Sequence, residues 1–357
     1  MFFKVTGEKL VSKNKKQETM KTIIKLTVIL CTTIIFFSCN KDDDGPQIPV
    51  TTTDVYVAGF EDNGLRTVAK IWKNGIGTPL TDGSHYSEAL SVFVSEDDVY
   101  VAGYEYNGSK TVAKLWKNGI ETSLTDGTKY AEALSVYVLG TDVYVAGHES
   151  GDAKLWKNGI ETPLTDGTNF SDANSVHVSG SDVYVSGFED NGIKDVAKIW
   201  KNGIGTDLTN GTNHAEANSV YVSGNDVYAV GYENNGTKDV AKIWKNGIEK
   251  SLTNGVNEAI ATSVYVSGND VYVTGYEDAG TKTVAKMWKN GIETPITNGV
   301  YEAQVYSVYV SGDDIYVAGY EDSDSTLIVK IWKNGKEIAL TDGSNYGIAR
   351  AIFTVTY

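Results

Sequence analysis

The sequence has two cysteines, five prolines, three methionines and four histidines in 357 residues. Two cysteines exclude a disulfide-built scaffold. The histidines stand in unrelated contexts. His85 and His214 are loop residues, and His148 and His177 occupy positions where sister stretches carry Tyr. No metal-ligand spacing links them. Helical periodicity is missing from residue 54 onward. The apolar run Leu26–Phe37 is 12 residues, too short to span a bilayer. Positive charge is also scarce, with 31 Lys and Arg against 46 Asp and Glu. Residues 1–38 hold seven Lys and two Glu, so the rest carries 24 basic and 44 acidic side chains, a net of about -20. Such a surface argues against nucleic acid and against direct attraction to anionic headgroups.

The N-terminal stretch has its own grammar. Met20–Phe37 reads MKTIIKLTVILCTTIIFF, in which Lys21 and Lys25 form a charged region ahead of the apolar run. That is the layout of a signal peptide, with Met20 the expected initiator. Phe36-Phe37-Ser38-Cys39 follows, and it resembles a bacterial lipobox. The resemblance implies cleavage before Cys39 and lipidation of that residue. Asn40-Lys41-Asp42-Asp43-Asp44-Gly45 is similar to the surface-export signal of Bacteroidota lipoproteins. It implies an outer-membrane lipid anchor facing the exterior, with a periplasm-facing anchor as the alternative. The expected division is 1–38 upstream segment and signal, 39–53 lipidated Cys and acidic linker, and 54–357 folded domain. Cys31 leaves with the signal and Cys39 carries lipid, so the mature domain has no disulfide and no thiol nucleophile.

The rest is a repeat. AKIWKNGI stands at 69–76, 197–204 and 241–248, with close variants at four other places. All seven Trp sit in this phrase, at 72, 116, 156, 200, 244, 288 and 332. Their spacing is 44 residues, except for one of 40. In one copy, Ser219–Val222, Asp226–Glu233, Val240–Lys245 and Ile248–Thr253 read as strands. Gly224-Asn225, Asn234–Gly236 and Asn246-Gly247 read as the turns between them. Four antiparallel strands per unit resemble a β-propeller blade. The fold class is therefore all-β: a seven-bladed β-propeller of four-stranded antiparallel blades. The first copy begins at its second strand (DVYVAGFE, from Asp54), and the chain ends on a first strand (Ala349–Tyr357). Those fragments are complementary, so the C-terminal strand should close the ring and remove the exposed edges. The phrase is not a WD-repeat signature, because no Trp-Asp dipeptide is present.

Residues alike in all seven copies should serve what all blades share. Trp72, Trp116, Trp156, Trp200, Trp244, Trp288 and Trp332 are expected to fill the seams between blades. The Gly of VAGYE (Gly59 through Gly319) is expected to leave room for that ring. Each copy keeps a Glu ending strand two (Glu61 in the first) and a Lys two residues before the Trp (Lys70 in the first). Seven equal catalysts around a ring are implausible, so these read as cross-strand ion pairs rather than acid/base chemistry.

Function requires asymmetry, and the loop from strand four into the next strand one supplies it. Its sixth residue runs Tyr86, Tyr130, Phe170, His214, Glu258, Glu302, Tyr346. Its eighth runs Glu88, Glu132, Asp172, Glu216, Ile260, Gln304, Ile348, and its tenth includes Asn174, Asn218, Tyr306 and Arg350. Four consecutive blades thus place an acid at one rim position. The candidate ligand rim is Glu88, Glu132, Asp172, Glu216, Tyr86, Tyr130, Phe170, His214, Tyr306 and Arg350. Aromatics beside carboxylates suit sugar rings or a cationic peptide. Ca²⁺ is the one metal the carboxylates would suit; otherwise no cofactor is expected. The competing reading is drift in exposed loops. The shortened hairpin Glu149–Asp152 should notch the wall beside Glu132 and Asp172. The expected function is a non-catalytic surface lipoprotein that binds a glycan or a protein and meets the membrane only through its lipid. Two alternatives stand beside it: a carbohydrate-active hydrolase or lyase, and a structural subunit of a surface complex.

Overall fold

The structure is a computed structural model that describes residues 52–323 and 326–357. Met20, the apolar run and Cys39 lie outside the described residues. The described residues form 28 strands in seven four-stranded antiparallel sheets, with no helix. Blade 2 is representative: β4 (Ser87–Ser95), β5 (Asp98–Tyr106), β6 (Thr111–Lys117) and β7 (Ile120–Ser123), ordered from channel to rim. Blade 1 is assembled from both ends of the domain. Its inner strand is β28 (Gly347–Thr356), paired with β1 (Thr53–Asp62), then β2 (Thr67–Lys73) and β3 (Ile76–Pro79). The pairing runs from Thr53↔Thr356 to Glu61↔Gly347, so the C-terminal strand closes the ring as the complementary ends predict.

The Asn-Gly turns form as their chemistry requires. Asn74 has φ 51° and Gly75 φ 82°, and the other six Asn of this turn lie between 51° and 54°. Positive φ at both central residues gives the turn twist that matches two antiparallel strands. These turns, with those after strand one, form the lower face. The longer connections after strands two and four form the upper face.

Each Trp is at most 2% exposed. Trp116 of blade 2 packs on Tyr56, Ala58 and Ala69 of blade 1, and Trp156 of blade 3 on Tyr100, Ala102 and Ala113 of blade 2. The indoles are therefore the inter-blade seam. The Lys–Glu pair forms in six blades, Lys198–Glu189 at 2.6 Å among them. In blade 3 Lys154 turns to Glu161 (2.9 Å), and Glu149 is met by Lys129 (3.5 Å).

Two local expectations are corrected. The inner strand is longer than SVYV: in the copy read above it spans Ala215–Ser223. A β-bulge between Ala217 and Ser219 shifts the two-residue period by one, which hides the alternation in the sequence. The eighth and tenth positions are thus strand residues, not loop residues. The VAGYE glycine has a different task too. A Cβ at Gly103 would lie 2.0 Å from the Glu88 carbonyl oxygen, and one at Gly231 would lie 1.9 Å from that of Glu216. Glycine makes room for the bulged inner strand of its own blade, not for the indole.

Candidate functional site

The inner strands line a central channel, and side chains at fixed positions of each strand form tiers along it. Lowest is a ring of seven rings: Phe93, Tyr137, His177, Tyr221, Tyr265, Tyr309 and Phe353. Adjacent centroids are 4.6–5.0 Å apart, and the ring closes from Phe353 to Phe93. Interplanar angles are 48–52°. That matches the rotation between neighbours in a seven-membered ring, so every ring plane stands parallel to the channel axis. A heptagon with these sides puts the centroids about 5.5 Å from the axis. Allowing for the half-thickness of an aromatic ring, the constriction has a radius of at most about 3.7 Å. Burial pushes the His177 pKa down to about 4, so it is neutral at pH 7.

Above the iris, serine hydroxyls tie neighbouring inner strands together. Ser91 Oγ accepts from Val136 N (3.1 Å), and five equivalents follow, ending with Ser307 and Ile352 N. Ala351 takes the seventh place and offers no such acceptor to the strand of blade 2.

The next tier, at the bulge, holds the predicted rim acids. Glu88, Glu132, Asp172 and Glu216 stand on four consecutive inner strands, each opposite an aromatic or His of strand two: Tyr104, His148, Phe188 and Tyr232. Arg350 reaches Glu88 from blade 1 at 3.5 Å, with its guanidinium 4.7 Å from the Tyr306 ring and 5.7 Å from Phe60. His148 Nδ1 lies 2.7 Å from Asp172 Oδ1. The Tyr232 hydroxyl donates to Glu216 at 2.7 Å. Burial raises the pKa of Glu88, partly opposed by Arg350. It also raises that of Glu132, where His148 opposes it while Asp172 and Glu88 add to it. Glu216 is raised by burial and partly eased by its Tyr232 bond. For His148 burial alone would lower the pKa, but the bond and charge of Asp172, with Glu132, outweigh it and the net shift is upward. At the position of these acids the other three blades carry no charge: Ile260, Ile348, and Gln304, which accepts from the Tyr306 hydroxyl at 2.7 Å.

The channel is thus a well with one acidic half. From Glu88 down to Phe93 it is about 15 Å deep at the rise of an extended strand. The upper rim is the sixth position. Tyr86 lies under Arg66 (5.8 Å), Tyr130 under Lys110 Nζ (3.9 Å), and His214 bonds Asp195 (2.8 Å). Tyr86, Tyr130 and Phe170 remain about half exposed.

No family model and no curated protein matches this chain. Among solved structures it is similar to a protein assigned as TolB from Agrobacterium tumefaciens. Identity is 10% over 66% of this chain and 92% of that one, with a TM-score of 0.47. It is also similar to TolB from Acinetobacter baumannii, at 11% identity over 69% and 64% of the two chains and a TM-score of 0.44.

All ten predicted rim residues lie in two tiers of one face, but they do not form one continuous surface. Glu88, Glu132, Asp172, Glu216, Tyr306 and Arg350 enter the well. Tyr86, Tyr130, Phe170 and His214 sit outside it. Asn174 and Asn218 are committed elsewhere, their amides donating to Ala217 O (3.3 Å) and Ala261 O (3.0 Å) of the next blade. The short hairpin does form at Ser150-Gly151 (φ 54° and 80°), but Phe170 covers it: a Cβ on Gly151 would be 2.6 Å from that ring. Among the described residues no group of three or more His, Cys, Asp or Glu is placed to hold a metal ion, so the Ca²⁺ suggestion gains no geometric support. Sequence reasoning missed the iris and the partners His148, Tyr104 and Tyr232. A signal existed: the residue directly after the Ser-Val of each inner strand, Ala351-Ile352 in the last copy, is aromatic or His in every copy.

Proposed function

We propose that the propeller is a non-catalytic binding module whose ligand is a protein segment presenting a positive charge to the well. The observation that carries this reading is the acid imbalance. Four carboxylates converge on consecutive blades, and only Arg350 and His148 stand against them. A narrow well above a constriction suits an extended alkyl-ammonium or guanidinium better than a broad ring. Low local polarity strengthens such a pairing. The proposed setting is a lipid-anchored protein at the outer membrane surface, as the Cys39 motif implies. The test is binding of a Lys- and Arg-containing peptide library to the purified chain. Lead peptides should weaken about tenfold in Glu132→Gln and again in 0.5 M salt. Affinity unchanged by both would refute the reading.

A glycan is the second reading, favoured by the half-exposed Tyr86, Tyr130 and Phe170 on neighbouring blades, which offer faces for sugar stacking. A glycan array should then give hits lost in Tyr86→Ala and Tyr130→Ala but kept in Glu132→Gln. Polysaccharide turnover abolished by Glu132→Gln would instead favour an enzyme.

A further inference from the structure

The lower rim carries a feature that blade packing does not use. Ile76, Ile120, Ile160, Ile204, Ile248 and Ile292 each begin an outer strand just after the Asn-Gly turn, and each is 73–76% exposed. Single exposed aliphatic residues are ordinary. These six are equivalent positions in a closed ring, so they lie in one plane perpendicular to the channel axis and can all meet a flat surface together. The seventh position, Lys336, is in blade 7, next to blade 1.

Charge divides the two faces. On the lower face seven Asp–Lys pairs neutralise each other at 2.7–2.8 Å, from Asp54–Lys73 to Asp314–Lys333. The lower turns also carry Glu96, Asp97 and Asp313, but most of the acidic excess gathers at the well and the upper loops. The repulsion from a membrane that net charge predicts therefore belongs mainly to the upper face, and screening confines it to about 8–10 Å. The chain also enters the domain from below. Thr52 O accepts from Tyr357 N at the lower end of β1 and β28, and the 14 residues Asn40–Thr53 reach at most about 50 Å.

We infer that the lower face is a membrane-resting surface, with the isoleucine crown seated in the headgroup region of the bilayer that holds the lipidated Cys39 and the acidic well turned outward. The inference rests on the lipid-anchor reading. The tether supplies the high local concentration that a crown of small apolar contacts needs.

The test uses the full chain purified from membranes and returned to phosphatidylethanolamine–phosphatidylcholine vesicles containing brominated lipids. A fluorophore is placed on Ser181→Cys in a lower turn or on Ser84→Cys in an upper loop. Quenching at 181 should exceed that at 84 about threefold or more. It should fall towards the 84 level when Ile120, Ile160 and Ile204 are all replaced by Ser, with the thermal melt unchanged. Equal quenching at both sites overturns the inference, as does quenching insensitive to the triple variant. Crosslinking of one copy's 181 to another's, in place of lipid quenching, also overturns it in favour of paired lower faces. The mass of the N-terminal peptide tests acylation separately. A chain found unacylated is given Cys31→Ser and Cys39→Ser, so that only 181 or 84 takes the fluorophore, and is tethered to nickel-chelating lipid through an N-terminal hexahistidine, which keeps the test of the crown intact.

Discussion

His177 is the one imidazole in a ring of phenyl and phenol groups, and it should make the domain acid-sensitive in a calculable way. Its neighbours Tyr137 and Tyr221 lie 4.8 and 4.6 Å away, centroid to centroid. Burial lowers its pKa from 6.5 to about 4. A base with a depressed folded-state pKa binds protons more weakly when folded. Its penalty is absent above the unfolded pKa and grows as pH falls from 6.5 towards 4. At about pH 4.5 the difference amounts to about 2.5 kcal/mol, against almost nothing at about pH 7.5. His177→Tyr restores the residue found at four of the seven positions and removes the titration. Urea unfolding of both proteins at the two pH values isolates the effect, because the buried carboxylates titrate alike in both and cancel in the comparison. The variant should match or slightly exceed wild type at neutral pH and lead it by about 2.5 kcal/mol in acid. A gap that does not change with pH would refute the claim that this imidazole is held neutral by burial.

Other outcomes follow from the same geometry. Glu132→Gln should stabilise the domain at pH 7, because its raised pKa means ionisation opposes folding; the advantage should shrink as pH falls and wild type takes up its proton, read by melts from pH 8 to 4. Gly231→Ala puts a methyl 1.9 Å from the Glu216 carbonyl and should cost about 3 kcal/mol or more, whereas Gly247→Ala, at φ 78° with open space, should cost about 1 kcal/mol; equal losses in urea titrations would count against the bulge argument. Ala215→Ser should stabilise by about 0.5–1 kcal/mol, because Ser87 and Ser171 at the equivalent place accept from Ala69 N and Ala153 N and meet Thr81 and Thr165, whereas the Thr209 hydroxyl has no partner; no gain in melting temperature would show that Thr209 is satisfied by water.

Much of the fold was legible because repetition makes it so. Seven copies of the Trp phrase reveal the unit length, and the mismatched chain ends reveal which strand closes the ring. The turns were legible because Asn-Gly has few other conformations to serve. The site was only half legible. The acids at 88, 132, 172 and 216 stood out as departures from the repeat, but a bulge is invisible to a two-residue period. Strand residues entering a channel therefore read as loop residues on a rim. The role of Gly103 was missed for a related reason: its neighbour is a backbone carbonyl, which no side-chain pattern records. The iris was missed because Phe, Tyr and His look like variation when identity is compared. They look like one feature only when ring shape is compared.

The two faces differ in symmetry, and that difference bears on what each can address. The exposed isoleucines fill six of seven equivalent places around the axis, so their natural counterpart is a plane or another ring. The well tier breaks the symmetry with acids on blades 2 to 5 and Arg350 on blade 1, so a ligand there can be held in only one orientation. The VAGYE glycine links the invariant part of the blade to this variable part. It is alike in every copy because every copy has the bulge, and the bulge turns the eighth and tenth residues into the channel. Once that backbone is fixed, a side-chain change at either position alters the lining of the well while leaving the Trp seams of the ring in place. Glu132→Gln should therefore change binding without unfolding the domain, whereas Gly147→Ala, beside the Glu132 carbonyl, should disturb both.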